Sequence, residues 1–372
     1  MKLIGPDQYE ALFLADTPLL DTRAPIEFAR GSFPTATNLP LLSDDERAQI
    51  GTCYKQKGQA AAITLGHQLV SGSTRSSRID HWQAFAEQHP QGALFCFRGG
   101  MRSQIAQEWL GERGIEYPRV AGGYKALRQW LSDQLNIICQ TLPLLLVGGR
   151  TGAAKTRLLN EGLDGRPLSG SIDLEGLAHH RGSSFGRRAQ PQPSQIQFEI
   201  ALSVALLKLK AGGASPIIIE DEGHLIGRCA LPSALQNARR QADWVLLEAP
   251  LEQRVEHSFD NYILSNLEDL RQYCPNPADA FAQFSQELLA ALGRIQKRLG
   301  GQRHSEIQGL MREALAAHEA GNASRHKDWI RELLVHYYDP MYEHQMRRRD
   351  TSPLFRGNES EVAQFLRAHT AD

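Results

Sequence analysis

The sequence predicts an α/β protein of two domains, the second built on a doubly wound parallel sheet with a helical C-terminal extension. Three observations carry that prediction. The chain has 372 residues, 41% hydrophobic and 22% charged, which is room for at least two cores and far from the composition of a disordered or collagen-like chain. Its first third alternates short apolar runs with amphipathic stretches. Beyond residue 138, the apolar runs Leu144–Val147, Pro216–Ile219 and Trp244–Leu247 suit parallel strands buried on both faces.

In chain order, Pro18–Asp21 reads as a strand, Ile79–Gln88 as a helix and Ala93–Phe97 as a second strand. The loop Arg98-Gly99-Gly100-Met101-Arg102-Ser103 leads into a helix whose Ile105, Trp109 and Leu110 share one face. Tyr117–Val120 and the Gly122-Gly123 turn repeat the pattern, and Tyr124–Leu135 closes the domain. A boundary near residue 138 separates a domain of residues 1–138 from one of residues 139–372. From about Leu251 the strand signals stop, and helical patterns at 280–298, 306–320 and 327–336 dominate. The stretch 182–194, with Pro191 and Pro193, reads as a loop.

Five cysteines, widely spaced and without a CxxC pair, argue against a disulfide framework or a zinc site. The N-terminus meets Asp7 and Glu10 too early for a signal sequence, and no apolar run nears the roughly 20 residues of a membrane span. A cytoplasmic protein is expected, without membrane association and with a monomer as the favoured state. With 41 Lys and Arg against 42 Asp and Glu, the molecule is no general polycation, so nucleic-acid binding would need a local patch.

Such a patch is offered by residues 294–349, with eleven Lys or Arg against seven acids. There, Arg347-Arg348-Arg349 near Tyr342 combines phosphate-binding charge with a ring able to stack a base.

Cys96 ends an apolar strand and is followed by two glycines, two arginines and a helix. That arrangement can turn backbone N–H groups toward the sulfur, bind an anion and favour the thiolate beside Arg98 and Arg102, as a nucleophile requires. The C-x5-R spacing from Cys96 to Arg102 is shared by cysteine phosphatases and rhodanese loops, and spacing alone does not choose between them.

Gly149-Arg150-Thr151-Gly152-Ala153-Ala154-Lys155-Thr156 follows a buried strand and opens a helix. It is a Walker A pattern with Ala154 where the second glycine belongs. Its backbone would cradle phosphates, Lys155 would neutralise them and Thr156 would offer a hydroxyl to Mg²⁺. The strand ending in Glu220-Asp221-Glu222 reads as the acidic partner, with Asp221 placed to hold the metal. Between them, a segment carrying Asp173, Glu175, His180, Arg181, Ser183 and Gln195 is dense enough in polar groups to read as a substrate loop.

Leu20-Asp21-Thr22-Arg23, Glu27-Phe28-Ala29-Arg30-Gly31-Ser32-Phe33-Pro34 and Ala36-Thr37-Asn38-Leu39-Pro40 resemble the landmarks of the rhodanese domain over residues 5–135. The Cys-to-Arg loop is longer than in many sulfurtransferases of that family, which suits a tetrahedral oxyanion such as selenophosphate. With the P-loop, Gly51–Gln59, Asp173–Gly186 and Glu220–Gly227, nearly the whole chain resembles the tRNA 2-selenouridine synthase family.

The resemblance implies a transferase that replaces sulfur by selenium at C2 of the wobble 2-thiouridine in tRNA. Sulfur is first geranylated from geranyl diphosphate, and the geranylthio group is then exchanged for selenium from selenophosphate. It implies that the P-loop, with Lys155 and Mg²⁺ near Thr156 and Asp221, grips the diphosphate, and that Cys96, Arg98 and Arg102 handle selenium. No organic cofactor is implied. Two alternatives stay open: an ATP-dependent P-loop kinase or ligase fused to a rhodanese sulfurtransferase, and a tRNA-binding or phosphate-sensing module without catalysis.

Overall fold

The structure, a computed structural model, describes residues 2–349 and 351–370. The chain forms two compact units, one of residues 1–138 with 196–211 and one of residues 139–195 with 212–372.

The first unit holds an all-parallel sheet of β1 (Leu3–Ile4), β2 (Leu19–Asp21), β3 (Ala36–Asn38), β4 (Ala93–Phe95) and β5 (Arg119–Val120), in the order β1-β5-β4-β2-β3. Side chains alternate across a strand, so Leu19, Ala93 and Phe95 enter one core with Phe13 and Phe33, while Leu20 and Leu94 enter another with Trp82 and Leu110. That is why both central strands read as unbroken apolar runs. A helix from beyond the P-loop also belongs here: of Gln195–Ala211, Ile200, Val204 and Leu207 complete the first of these cores. The sequence division at residue 138 does not foresee it, because a helix apolar enough for any core carries no label for which one.

The long helix Asp44–Leu69 starts at a capping box, Ser43 with Glu46, and is broken at Gly58, whose φ of 80° lies in the left-handed region.

In the second unit, β6 (Leu144–Gly149), β7 (Ser171–Ile172), β8 (Ile217–Glu220), β11 (Asp243–Leu247) and β12 (Phe355–Gly357) form a parallel sheet in the order β12-β11-β6-β8-β7. A short hairpin, β9 (Leu225–Ile226) with β10 (Cys229–Ala230), stands apart. The expectation that strands end near Leu251 is corrected by β12, which pairs in parallel with β11 about a hundred residues after it in sequence. Three residues, Phe-Arg-Gly, are too few to show a periodicity. The helices Pro277–Leu299, Gly301–Glu319 and His326–Leu333 pack around their own core of Phe284, Leu292, Met311 and Trp329. The loop after β6 lies at the carboxyl ends of the parallel strands, where open α/β sheets collect ligands.

Candidate functional site

In the first unit, Cys96 directly follows β4 and the helix Met101–Glu112 begins five residues later. The loop between them is pinned by the next helix: Tyr124 N–H donates to the Cys96 carbonyl at 2.9 Å and Lys125 N–H to that of Phe97 at 3.0 Å. Gly123 is required at this contact, since a Cβ there would lie 2.1 Å from the Cys96 carbonyl oxygen. The buried Cys96 sulfur sits 3.1 Å from the Ser103 hydroxyl, which is 2.9 Å from the Gly100 carbonyl.

The two arginines of the loop differ. Arg98 is exposed, whereas Arg102 is half-buried and held by both oxygens of Glu27. Burial opposes the Glu27 charge, but the Arg102 guanidinium prevails and holds its carboxyl below the ordinary range. Asp21 and Arg23 form a fully buried pair, with Arg23 stacked on Tyr124 and Asn38 donating to the Asp21 and Arg23 carbonyls. The landmark residues of the sequence are thus the frame of the cysteine loop.

In the second unit, β6 runs into the loop 150–154 and the helix Lys155–Glu161. Gly152 has φ 82°, and a Cβ there would lie 2.7 Å from the Arg254 carbonyl oxygen. Ala154 stands at φ 63°, ψ 36°, in the left-handed region that favours glycine, a geometry that costs a β-carbon about 1–2 kcal/mol. Lys155 Nζ reaches back to the Gly149 carbonyl at 3.4 Å and lies 3.9 Å from Glu222. The Thr156 hydroxyl donates to Glu175 at 3.1 Å.

Lys155 faces an excess of carboxylates. Glu175, Glu220 and Glu222 are all pushed above the ordinary carboxylate range. Burial is the main cause for each, with neighbouring carboxylates adding to it, and Glu175 reaches about 8. Glu220 is fully buried and neither of its oxygens has a hydrogen-bond partner. Gly182, at φ 67°, closes over the cluster: a Cβ there would lie 2.4 Å from Glu175 and 2.8 Å from Glu222.

Among the described residues no three His, Cys, Asp or Glu side chains are arranged to hold a metal by themselves. An orphaned buried carboxylate beside Thr156 and Glu175 nonetheless fits a divalent cation whose remaining ligands are phosphate oxygens and water.

The expected metal pair, Thr156 with Asp221, is not brought together as such. Asp221 is bound by Arg239 at 3.2 Å and Arg349 at 3.0 Å, and the carboxylate on Thr156 is Glu175. Arg349 also stacks on Trp244, so it serves the interior of this unit, whereas Arg347 and Arg348 are exposed. Tyr342, expected on a tRNA surface, lines the P-loop cavity instead, with its hydroxyl buried. Arg150 turns from the phosphate side toward Asp339 and Glu343.

Within the expected substrate loop, Asp173 caps the helix Leu174–Leu177, and Gln195 clamps the backbone of Ala230 in both directions. His180 is held neutral, its pKa pushed to about 4 by burial and surrounding arginines. Arg181 is buried against Asn261, Asn266 and Asp269, and with Ser183 it borders a cavity of about 610 Å³ that also takes in Lys155, Thr156 and Glu222. Two further contributors, Tyr262 and Tyr338, come from π-helical turns at Asp260–Leu264 and Leu334–Tyr338. No motif marks them.

Strand, loop and helix with Lys155 and Thr156 at the helix start define a P-loop-like domain. The family model described as the tRNA 2-selenouridine synthase AAA domain matches residues 142–372. Proteins called tRNA 2-selenouridine synthase match along the whole chain: one from Hahella chejuensis is 51% identical over 100% of this chain and 97% of its own, and one from Alcanivorax borkumensis 49% over 96% and 97%. A third, from Marinobacter nauticus, is 47% identical over 98% of each. The chain belongs to the tRNA 2-selenouridine synthase family. Among the described residues no helix is long and apolar enough to cross a membrane.

Proposed function

We propose that this protein is a cytoplasmic transferase that exchanges sulfur for selenium at C2 of the wobble 2-thiouridine of tRNA, in two steps served by two anion sites. In the P-loop domain, geranyl diphosphate is held by its diphosphate. The backbone N–H groups of 150–154 and the ammonium of Lys155 stabilise the negative charge that grows as the carbon–oxygen bond breaks and the thiocarbonyl sulfur takes the geranyl group. Glu220 and Glu175, with Thr156, would hold a magnesium ion that neutralises part of the diphosphate charge.

In the N-terminal domain, read as rhodanese-like, the Cys96 loop binds selenophosphate through Arg98 and Arg102, with Arg102 oriented by Glu27. Selenium then enters at C2 as geranylthiolate leaves, and water cleaves the selenium–phosphorus bond to release phosphate. Arg347 and Arg348 contribute to holding the anticodon arm.

The observation that carries this reading is the unpartnered, fully buried Glu220 carboxylate beside the P-loop threonine, which supports a cation–diphosphate ligand in a domain of this family. Mass spectrometry of a 2-thiouridine anticodon stem-loop tests it, with magnesium, geranyl diphosphate and selenophosphate each omitted in turn. Omitting selenophosphate should leave the geranylated base, and omitting geranyl diphosphate should leave 2-thiouridine. Selenation that needs ATP and ignores geranyl diphosphate would favour the kinase or ligase reading.

A further inference from the structure

The first unit contains a cavity of about 300 Å³ between the helix Asp44–Leu69 and the first turns of the helix Met101–Glu112. Its wall is mostly apolar, with Ile63, Ile105 and Trp109 among its residues. Two large hydrophobic side chains on it, Tyr54 and Met101, are left 57% and 41% exposed. Exposed apolar groups beside an apolar cavity are what a bound hydrocarbon would cover. At roughly 30 Å³ for a water-sized group, the cavity holds about ten such groups.

Its position matters as much as its lining. Met101 and Arg102, which directly follow the Cys96 loop, are part of the wall, and the Arg102 guanidinium is fixed by Glu27. A chain lying in the cavity therefore has one end at the cysteine loop.

We infer that this cavity receives the hydrocarbon tail of an S-alkylated nucleobase, so that the carbon–sulfur bond to be exchanged is held at the Cys96 loop. The tail's identity as a ten-carbon isoprenoid rests on the function proposed above. The cavity then acts as a specificity device, because a base with bare sulfur gains nothing from it and a base carrying the tail is retained for selenation. This imposes the order of the two steps by binding alone.

The test compares anticodon stem-loops carrying S-geranyl- or S-methyl-2-thiouridine, with affinity read by fluorescence anisotropy and selenation by mass spectrometry. The wild-type protein should bind the geranyl form at least about tenfold more tightly. Filling the cavity with Ile63→Trp should abolish that preference while sparing affinity for the methyl form and geranylation of 2-thiouridine. Ile63→Phe, a smaller filling at the same half-buried position, serves should the tryptophan variant not fold. Equal wild-type affinity for the two stem-loops, or a preference that survives filling, would overturn the inference, as would equal weakening toward both forms, which points to a contribution to RNA binding that ignores the tail. Failure of the wild-type protein to selenate either stem-loop would instead overturn the functional reading, and the binding preference would still decide the cavity.

Discussion

Glu175 should make this protein less stable in alkali, and Glu175→Gln should reduce the effect, leaving the share that Glu220 and Glu222 carry. The carboxyl is 8% exposed, bonded to Thr156 and crowded by Glu222, and its pKa rises from 4.5 to about 8, mainly through burial. The folded protein therefore keeps a proton that the unfolded chain has lost. The stabilisation is whole below pH 4.5 and disappears as pH climbs to about 8, where burial of the charge is resisted in full. At 1.36 kcal/mol per unit, the stability lost between pH 5 and pH 8.5 is about 4 kcal/mol.

For a unit of this size, that loss corresponds to roughly 10 °C in melting temperature. Glutamine keeps the shape and the acceptor for Thr156 but cannot ionise. Calorimetry of both proteins at pH 5 and pH 8.5 should show the variant ahead only at the higher pH. Melting temperatures that fall in parallel for both proteins would refute the reasoning.

At Ala154, glycine should be at least as stable, by about 0.5 kcal/mol, since relief of the left-handed strain slightly exceeds the added freedom of the unfolded chain; Ala154→Val should lose more than about 1 kcal/mol, both read by thermal melting. Glu27→Gln should cost roughly 2 kcal/mol and lower selenation while leaving geranylation intact, because it removes the charge that orients Arg102. Replacing Arg347 and Arg348 with glutamine should weaken tRNA binding and reduce the slope of log affinity against log salt by up to about 2, measured by filter binding; an unchanged slope would exclude them from the phosphate contacts.

Much of this site was legible from local pattern. A Walker A loop is a contiguous segment whose backbone geometry is the function, so its strand, turn and helix start could be read from eight residues. The acidic strand end was equally visible, but its three carboxylates could not be assigned roles. Alternation along β8 and the turn after it decide that Glu220 is fully buried and that Asp221 meets Arg239 and Arg349. Those arginines lie 18 and 128 positions away in sequence, and no periodicity connects them.

Tyr342 and Arg349 illustrate the same difficulty from the other side. In a basic, aromatic stretch they resemble a nucleic-acid surface, yet both point into their own unit. Glu27 was visible only as part of a motif, and its work, fixing Arg102 across 75 positions of chain, is a tertiary contact. The π-helical turns that present Tyr262 and Tyr338 carry no residue signature, and neither does the cavity beside the cysteine loop, which depends on where the broken helix Asp44–Leu69 lies.

The division of labour between two anion sites is tested most directly by running Cys96→Ser and Lys155→Ala side by side on 2-thiouridine and S-geranyl-2-thiouridine stem-loops, with products identified by mass spectrometry. The account predicts that Cys96→Ser stops at the geranylated base. It also predicts that Lys155→Ala leaves 2-thiouridine unmodified yet still selenates the stem-loop supplied already geranylated. Full selenation by Cys96→Ser, or loss of both reactions in Lys155→Ala while the protein stays folded, would contradict it.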